Sequence, residues 1–468
     1  MSSVPLLPTS ASRTRRRHGT VLAVASGAAF LAMLDATVVN LAVADLHSDF
    51  PDVAVPDLSW VITIYAIVFA ALLAPGGRIA DLVGRRALLT VGAALFTIMS
   101  IAAAAAPSLG ALLVARGLQG AGAAAMIPAS LGVILADTPP ERRAAAIGVW
   151  SAASAAAAAA GPALGGVLVD LAGWRSVFLL TVPAGLAVLA GTQALPMRGA
   201  RVGPRPQAPD ALGIALLGAG VGALALGVSR ASVWGWGDAR TLVAIGAGVL
   251  GVLIVLARSR RHPAPAVEVG LWRSRTFALA NLVSLVYGAA LFAWLLCGVL
   301  FLTQAWDYSP LQAGLAVSPG AVVAAVVALR AGPLVAARGP RPVVVGGLLI
   351  TAATAGWLLL ALGDDPAFLT LWLPASLPLG IGWGAIATGV SAAAALSVGP
   401  ERFAAGIGLN QAARAVGGSL GVAAMATILN GTDPAAAASY RGVFVLCIIL
   451  LVAAAAAACG LRAKGAQR

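Results

Sequence analysis

Apolar runs of about 18–25 residues recur along nearly the whole chain, separated by short breaks that carry Arg, Pro, Asp or Gly. Read by that pattern, the spans are 20–44, 58–76, 88–106, 109–135, 144–169, 175–195, 211–229, 241–257, 277–303, 312–329, 342–362, 368–396, 403–429 and 442–461. The Ala152–Ala160 stretch is weak in hydropathy, but small residues let helices approach closely in lipid, so it stays within a span. The pattern predicts an all-α polytopic membrane protein with fourteen crossings, and an even number puts both termini on one side.

Charge orients this array. Of the 30 Lys and Arg, only Arg175, Arg230, Arg240 and Arg441 fall on one set of connections, and only Arg116 and Arg414 fall within spans. All others, from Arg13 to Arg468, fall on the opposite side, which is therefore cytoplasmic. Acidic residues lean outward, with Asp45, Asp49, Asp52, Asp57, Asp238, Asp307, Asp364, Asp365 and Asp433 on the outer connections. The inner connections Pro196–Asp210 and Arg258–Thr276 are longer than the rest and divide the spans 6 + 2 + 6. The expected organisation is a disordered cytoplasmic amino terminus (1–19), a six-helix bundle (20–195), a two-helix insertion with its linker (196–276), a second six-helix bundle (277–462) and a cytoplasmic tail (463–468). The second long connection contains Val267–Arg273, which suits a short interfacial helix with Trp272 among the headgroups.

Composition narrows the class. The chain has 468 residues, of which 60% are hydrophobic and 10% charged, with a mean hydropathy of +0.95; a soluble globular protein is excluded. The net charge of +13 is sorted by membrane side rather than gathered into a patch, so no nucleic-acid partner is expected. Cys297, Cys447 and Cys459 lie in apolar spans without partner histidines and read as small packing residues, not as a metal site. There is no G-x4-G-K-[ST] loop, so no nucleotide or other cofactor is expected. High Ala and Gly, with Lys464 the only lysine, suggest a GC-rich bacterial source and hence the bacterial plasma membrane.

Asp35 is the one carboxylate well inside a predicted span, where an ionised group costs roughly 2.5–3.5 kcal/mol on insertion scales. Taking up a proton removes that cost, which makes Asp35 a candidate for proton coupling. Arg116 lies about seven residues from the outer end of the fourth span and Asp35 about nine from that of the first, so at ~1.5 Å per residue the two share a depth. They suit an ion pair in one state; the plainer reading has Arg116 bonding backbone carbonyls.

The break after the second span reads Gly77-Arg78-Ile79-Ala80-Asp81-Leu82-Val83-Gly84-Arg85-Arg86 and resembles motif A of the major facilitator superfamily, apart from Leu82 at a usually basic position. A fainter copy, Gly332 to Arg341, has Ala336 in the place of Asp81, as two duplicated halves would give. The stretch Leu113–Gly122, with Arg116, resembles motif B, and Gly161-Pro162-Ala163-Leu164-Gly165-Gly166 resembles motif C, the antiporter motif. A kinked packing helix is the plainer reading of the last. With Leu34–Asn40, Tyr308–Gly314 and Asn410–Gly421 added, the chain from about Leu22 to Leu461 resembles the fourteen-span drug:proton antiporters of the EmrB/QacA type, and its layout is similar to the methylenomycin A resistance proteins.

That resemblance implies the major facilitator fold, two six-helix bundles plus two inserted helices around a central cavity. It also implies proton-coupled export of amphipathic small molecules by alternating access, with antibiotic resistance as its outcome and a proton gradient as its energy source. The alternatives are a metabolite importer or facilitator without antiport and, from another class, a membrane-embedded enzyme or scaffold. Partners expected are a small-molecule substrate, protons and lipid, with the chain a monomer. Candidate proton-coupling residues are Asp35 and Arg116; candidate gating residues are Gly77, Asp81, Gly84, Arg85, Arg86, Gly161, Pro162, Gly165 and Gly166. Candidate cavity residues are Asn40, Gln119, Tyr287, Asn410, Gln411 and Arg414, although Asn410, Gln411 and Arg414 serve equally well as bonds between helices. One acid against two intramembrane arginines argues against multiply charged cations as cargo.

Overall fold

The computed structural model describes residues 10–39, 42–51, 53, 58–195 and 210–462. Fourteen of its helices are long and apolar enough to cross a membrane. In order, the helices are α1 Ser10–Val38, α2 Ala42–Asp49, α3 Trp60–Val83, α4 Arg85–Ala104, α5 Leu109–Asp137, α6 Arg143–Ala172, α7 Trp174–Gln193, α8 Ala211–Trp234, α9 Ala239–Ser259, α10 Arg275–Gln304, α11 Pro310–Arg338, α12 Pro340–Ala361, α13 Leu373–Leu396, α14 Phe403–Leu429 and α15 Arg441–Ala458. All but the short α2 are membrane helices, because in lipid the backbone must satisfy its own hydrogen bonds.

Helices α1 and α3–α7 pack as one bundle and α10–α15 as a second. They meet along two seams, α3 against α14 and α6 against α11. Small residues make both seams close: a methyl group on Gly77 of α3 would strike the Ala404 carbonyl of α14, and one on Gly332 of α11 would strike the Ala144 carbonyl of α6. The inserted α8 leans on α3 and α14, one helix from each bundle, and α9 packs on α8. Asp210 caps α8 through the Gly213 N–H (2.9 Å) and pairs with Arg258 of α9 (2.9 Å), which ties the inserted helices together at their inner ends.

Three expectations are corrected. Residues 10–19, expected to be disordered, are the first turns of α1, since no Gly or Pro breaks the run from Ser10 to His18. The first span stops at Val38 instead of 44, and α2 runs separately, docked on the start of α7 by Asp45 on the Trp174 N–H (2.8 Å) and Asp49 on the Trp174 indole N–H (3.0 Å). Arg230 is part of α8, not of an outer loop; its guanidinium lies 3.6 Å from the centroid of the Trp60 ring, so an aromatic face takes up the charge. The short helix expected within Val267–Arg273 is present as a 3-10 helix, Val269–Arg273, with Leu271 buried and Trp272 exposed.

Candidate functional site

Two polar centres stand out in the first bundle and at its border with the second. The first is sealed at the level of Asp35. Arg116 Nη1 donates to Asp35 Oδ2 (2.8 Å) and Gln119 Nε2 to Asp35 Oδ1 (2.9 Å), so both carboxylate oxygens are occupied. Arg116 also donates to Gln119 Oε1 (2.5 Å) and to the Val61 carbonyl (3.1 Å), while its guanidinium lies 4.3 Å from the centroid of the Tyr65 ring. Ser100 extends the network, accepting from Gln119 Nε2 (2.9 Å) and from Thr181 Oγ1 (3.0 Å). Asp35 and Gln119 are 0% exposed and Arg116 1%, so the pair is closed to water on both sides in this state. Every charge and nearly every donor is matched, which is what makes an ion pair tolerable at this depth.

Gln119, expected at the cavity, instead belongs to this cluster. The signal was available, since Gln119 lies three residues after Arg116 on the same helix face.

The second centre is a latch at the inner seam. Asp81, near the end of α3, accepts the Ala405 N–H (2.8 Å) and, more weakly, the Ala404 N–H (3.4 Å), both in the first turn of α14. It therefore caps a helix of the opposite bundle, with the helix dipole reinforcing the bond. Arg85 holds the same carboxylate (2.7 Å) and reaches the Pro400 carbonyl (2.5 Å) across the seam. Gly84 permits this geometry with φ 116°, a value only glycine adopts freely. Arg86 turns the other way, to the Leu195 carbonyl (2.8 Å), and fastens α4 to the end of α7.

Beside the latch lies a clasp that the sequence reading missed. Glu268, in the connection after α9, takes Arg78 of α3 (2.5 Å) and Arg402 just before α14 (2.6 Å). One carboxylate thus joins the linker to both bundles, and Arg78 also donates to the Pro265 carbonyl (2.9 Å). A signal lay in the repeated Pro-Glu-Arg, Pro140–Arg142 before α6 and Pro400–Arg402 before α14, each forming a 3-10 turn at a seam. The halves match there except that Ala336 offers no carboxylate where Asp81 does, so only the α3/α14 seam has an acidic latch.

At the outer end the bundles part around a cleft of about 480 Å³, lined by Asp45, Gly166, Val169 and Asp170 on one side and Ser309, Pro310 and Leu311 on the other. The inner seam is fastened, and the outer cleft lies at the helix ends, above the hydrogen bond from Ser318 of α11 to the Ala159 carbonyl of α6 (3.1 Å). In α6, which runs unbroken through Pro162, Gly161 packs on Thr37 of α1, Pro162 on Gly314 of α11, and Gly165 is buried.

The remaining candidates are in the second bundle, apart from Asn40, which lies outside the described residues. Asn410 bonds Ser284 Oγ (2.8 Å) and the Ala280 carbonyl (3.3 Å), linking α14 to α10. Tyr287 is buried, tilted against Trp383 of α13 with centroids 5.7 Å apart, and its hydroxyl meets the half-buried Arg414. Gln411 is buried and its Oε1 has no hydrogen-bond partner. Among the described residues no group of three His, Cys, Asp or Glu is placed to hold a metal.

Comparison with known proteins agrees with this architecture. Residues 25–197 match the family described as Major Facilitator Superfamily. The chain is 32% identical over 417 residues to the tetracenomycin C resistance and export protein of Streptomyces glaucescens, covering 88% of this chain and 75% of that one. It is 34% identical over 445 residues to the puromycin resistance protein pur8 of Streptomyces alboniger (94% and 87%). Against the methylenomycin A resistance protein of Streptomyces coelicolor the identity is 30% over 420 residues (88% and 86%). The crystal structure of the human organic anion transporter MFSD10 superposes with a TM-score of 0.64 at 17% identity, covering 93% of this chain and 99% of that one, a likeness of fold.

Proposed function

Because this chain belongs to the major facilitator superfamily and is a drug-efflux transporter of the bacterial plasma membrane, we propose that it exports an amphipathic small molecule in exchange for protons carried by Asp35. The observation that supports this reading is the engagement of both Asp35 oxygens, by Arg116 and Gln119, in a site closed to water. An ionised Asp35 is held there by charge-assisted hydrogen bonds. A proton arriving from the outer side cancels that charge and leaves Arg116 as an uncompensated buried cation, on the scale of broken buried pairs a cost of about 3–5 kcal/mol.

Movement of α1 against α5 relieves the cost and is the step that releases the inner-closed form. The inner latch, Asp81 on the start of α14, sets how readily that release occurs. Once the inner side opens, Asp35 loses its proton to the cytoplasm, the drug binds between the bundles, and re-formation of the Asp35–Arg116 pair favours the return outward. The chain acts alone in this scheme, as a monomer with no cofactor. Relatives named for resistance to tetracenomycin C, puromycin and methylenomycin A support a small-molecule antibiotic as cargo.

Uptake of a panel of antibiotics and dyes into everted membrane vesicles tests this. Uptake that collapses when nigericin abolishes the pH gradient is the expected result. Uptake that equilibrates the compound without regard to the gradient would identify a facilitator instead.

A further inference from the structure

Arg414 is the second intramembrane arginine, and its surroundings differ from those of Arg116. Among the described residues, no carboxylate lies within ion-pair distance of its guanidinium. Its contact is the hydroxyl of Tyr287, a neutral group. Asp35 is already paired with Arg116 and Gln119 within the first bundle. The interior of the protein thus carries an unmatched positive charge near the middle of α14.

The direction of that charge follows from helix geometry. Gly408 of α14 packs on Leu73 of the first bundle, and Gly417 packs on Leu285 of α10. Residues 408, 411, 414 and 417 form a stripe that turns gradually from the first bundle towards α10, and Arg414 lies within it. Leu420, exposed on the apolar side, is about 120° round the helix from Arg414. Arg414, half-buried, therefore lies on the packed side of α14, between Gly408 and Gly417 and away from Leu420.

Two neighbours complete the setting. Gln411, one turn before Arg414 on the same stripe, buries an Oε1 that accepts no hydrogen bond from the protein. A buried acceptor without a donor is costly, and a ligand hydroxyl or N–H relieves it. Trp383, half-buried and tilted on Tyr287, supplies an aromatic surface beside the charge.

We infer that Arg414, Gln411, Tyr287 and Trp383 form the recognition site for the exported molecule, and that this molecule is a planar aromatic acid, ionised at neutral pH, with its anionic group on Arg414. A guanidinium binds a carboxylate through two parallel hydrogen bonds, which fixes orientation as well as charge. The inference rests on the export reading, because it names the cargo, but it makes no use of Asp35 as proton carrier.

The test is equilibrium binding of 9-anthracenecarboxylate and of 9-anthracenecarboxamide to the full-length protein in nanodiscs, without any gradient, followed by probe fluorescence. The two probes match in size and ring system and differ in charge. Wild type is expected to bind the acid about tenfold or more tightly than the amide. Arg414→Gln is expected to bring the acid down to the level of the amide, and Arg414→Lys to keep part of the preference. Thermal unfolding of each variant verifies that it is folded, and the Lys variant carries the test if the Gln variant is not.

Equal binding of the two probes by wild type, no binding of the acid at all, or a preference that survives in Arg414→Gln would overturn the inference. Asp35→Asn is expected to keep the preference. Wild-type transport without proton flux, with the preference intact, would therefore count against the proton carrier alone, and proton coupling without the preference against the cargo site alone.

Discussion

Asp81 at the end of α3 accepts the backbone N–H of Ala405, 2.8 Å away in the first turn of α14, so a side chain of one bundle caps a helix of the other. Capping across a seam makes the stability of a helix end depend on the relative position of two bundles. The glycines beside it, Gly77 against Ala404 and Gly408 against Leu73, bring the backbones close enough for a short carboxylate to reach.

Asp81→Asn keeps the shape but removes the charge that faces both the helix dipole and Arg85. The loss is about 0.5–2 kcal/mol of preference for the inner-closed arrangement, roughly two- to thirtyfold in population. Spin labels on the inner ends of α3 and α14 check this, with a longer inter-label distance becoming more populated in the variant.

Glu268→Gln breaks the clasp on Arg78 and Arg402 while leaving the latch intact. Hydrogen bonds to charged groups are worth about 1.5–3 kcal/mol each, less where solvent reaches them, and Arg402 is half exposed. The expected outcome is a shift in the same direction as Asp81→Asn. The shift combines additively with it in the double variant if latch and clasp act independently, as the same distance measurement will read.

Gly161→Ala places a methyl group on Thr37, whose hydroxyl is fixed to the Met33 and Leu34 carbonyls (3.0 Å each). Overpacking of this kind costs about 1–3 kcal/mol. Transport and thermal stability are both expected to fall, whereas Gly110→Ala, where nothing lies within 4 Å, is expected to leave both unchanged.

Asp210 provides a pH dependence away from the proton site. Burial works against its charge, yet the Gly213 N–H and Arg258 together hold its carboxyl below the ordinary aspartate range. A depressed carboxyl contributes stability above its unfolded pKa and loses it as the pH falls through the folded value. Thermal unfolding from pH 7 to pH 3 is expected to show that loss at the acidic end, with a shallower slope in Asp210→Asn.

Much of this was legible in the chain because lipid penalises ambiguity. An apolar run must be a helix, an arginine must sit on the inner side or find a partner, and so the spans and the depth shared by Asp35 and Arg116 could be read directly. Partners supplied by tertiary contact were not legible. Glu268 lies in an ordinary-looking linker, and only the fold carries it beneath the α3/α14 seam. An amide in a span suits a substrate as well as an ion pair, so Gln119 reads as a cavity residue until its spacing from Arg116 is weighed. Hydropathy ends a span at the first cation and so assigns Arg230 to a loop, whereas the Trp60 ring lets α8 run on to Trp234.

The most direct measurement is proton movement in proteoliposomes on addition of a transported antibiotic or dye, with wild type and Asp35→Asn side by side. A substrate-triggered proton flux in wild type that disappears in Asp35→Asn, with the protein still folded and still binding the compound, is the predicted result. Transport by wild type with no accompanying proton flux, or an undiminished flux in Asp35→Asn, would contradict the role given to Asp35.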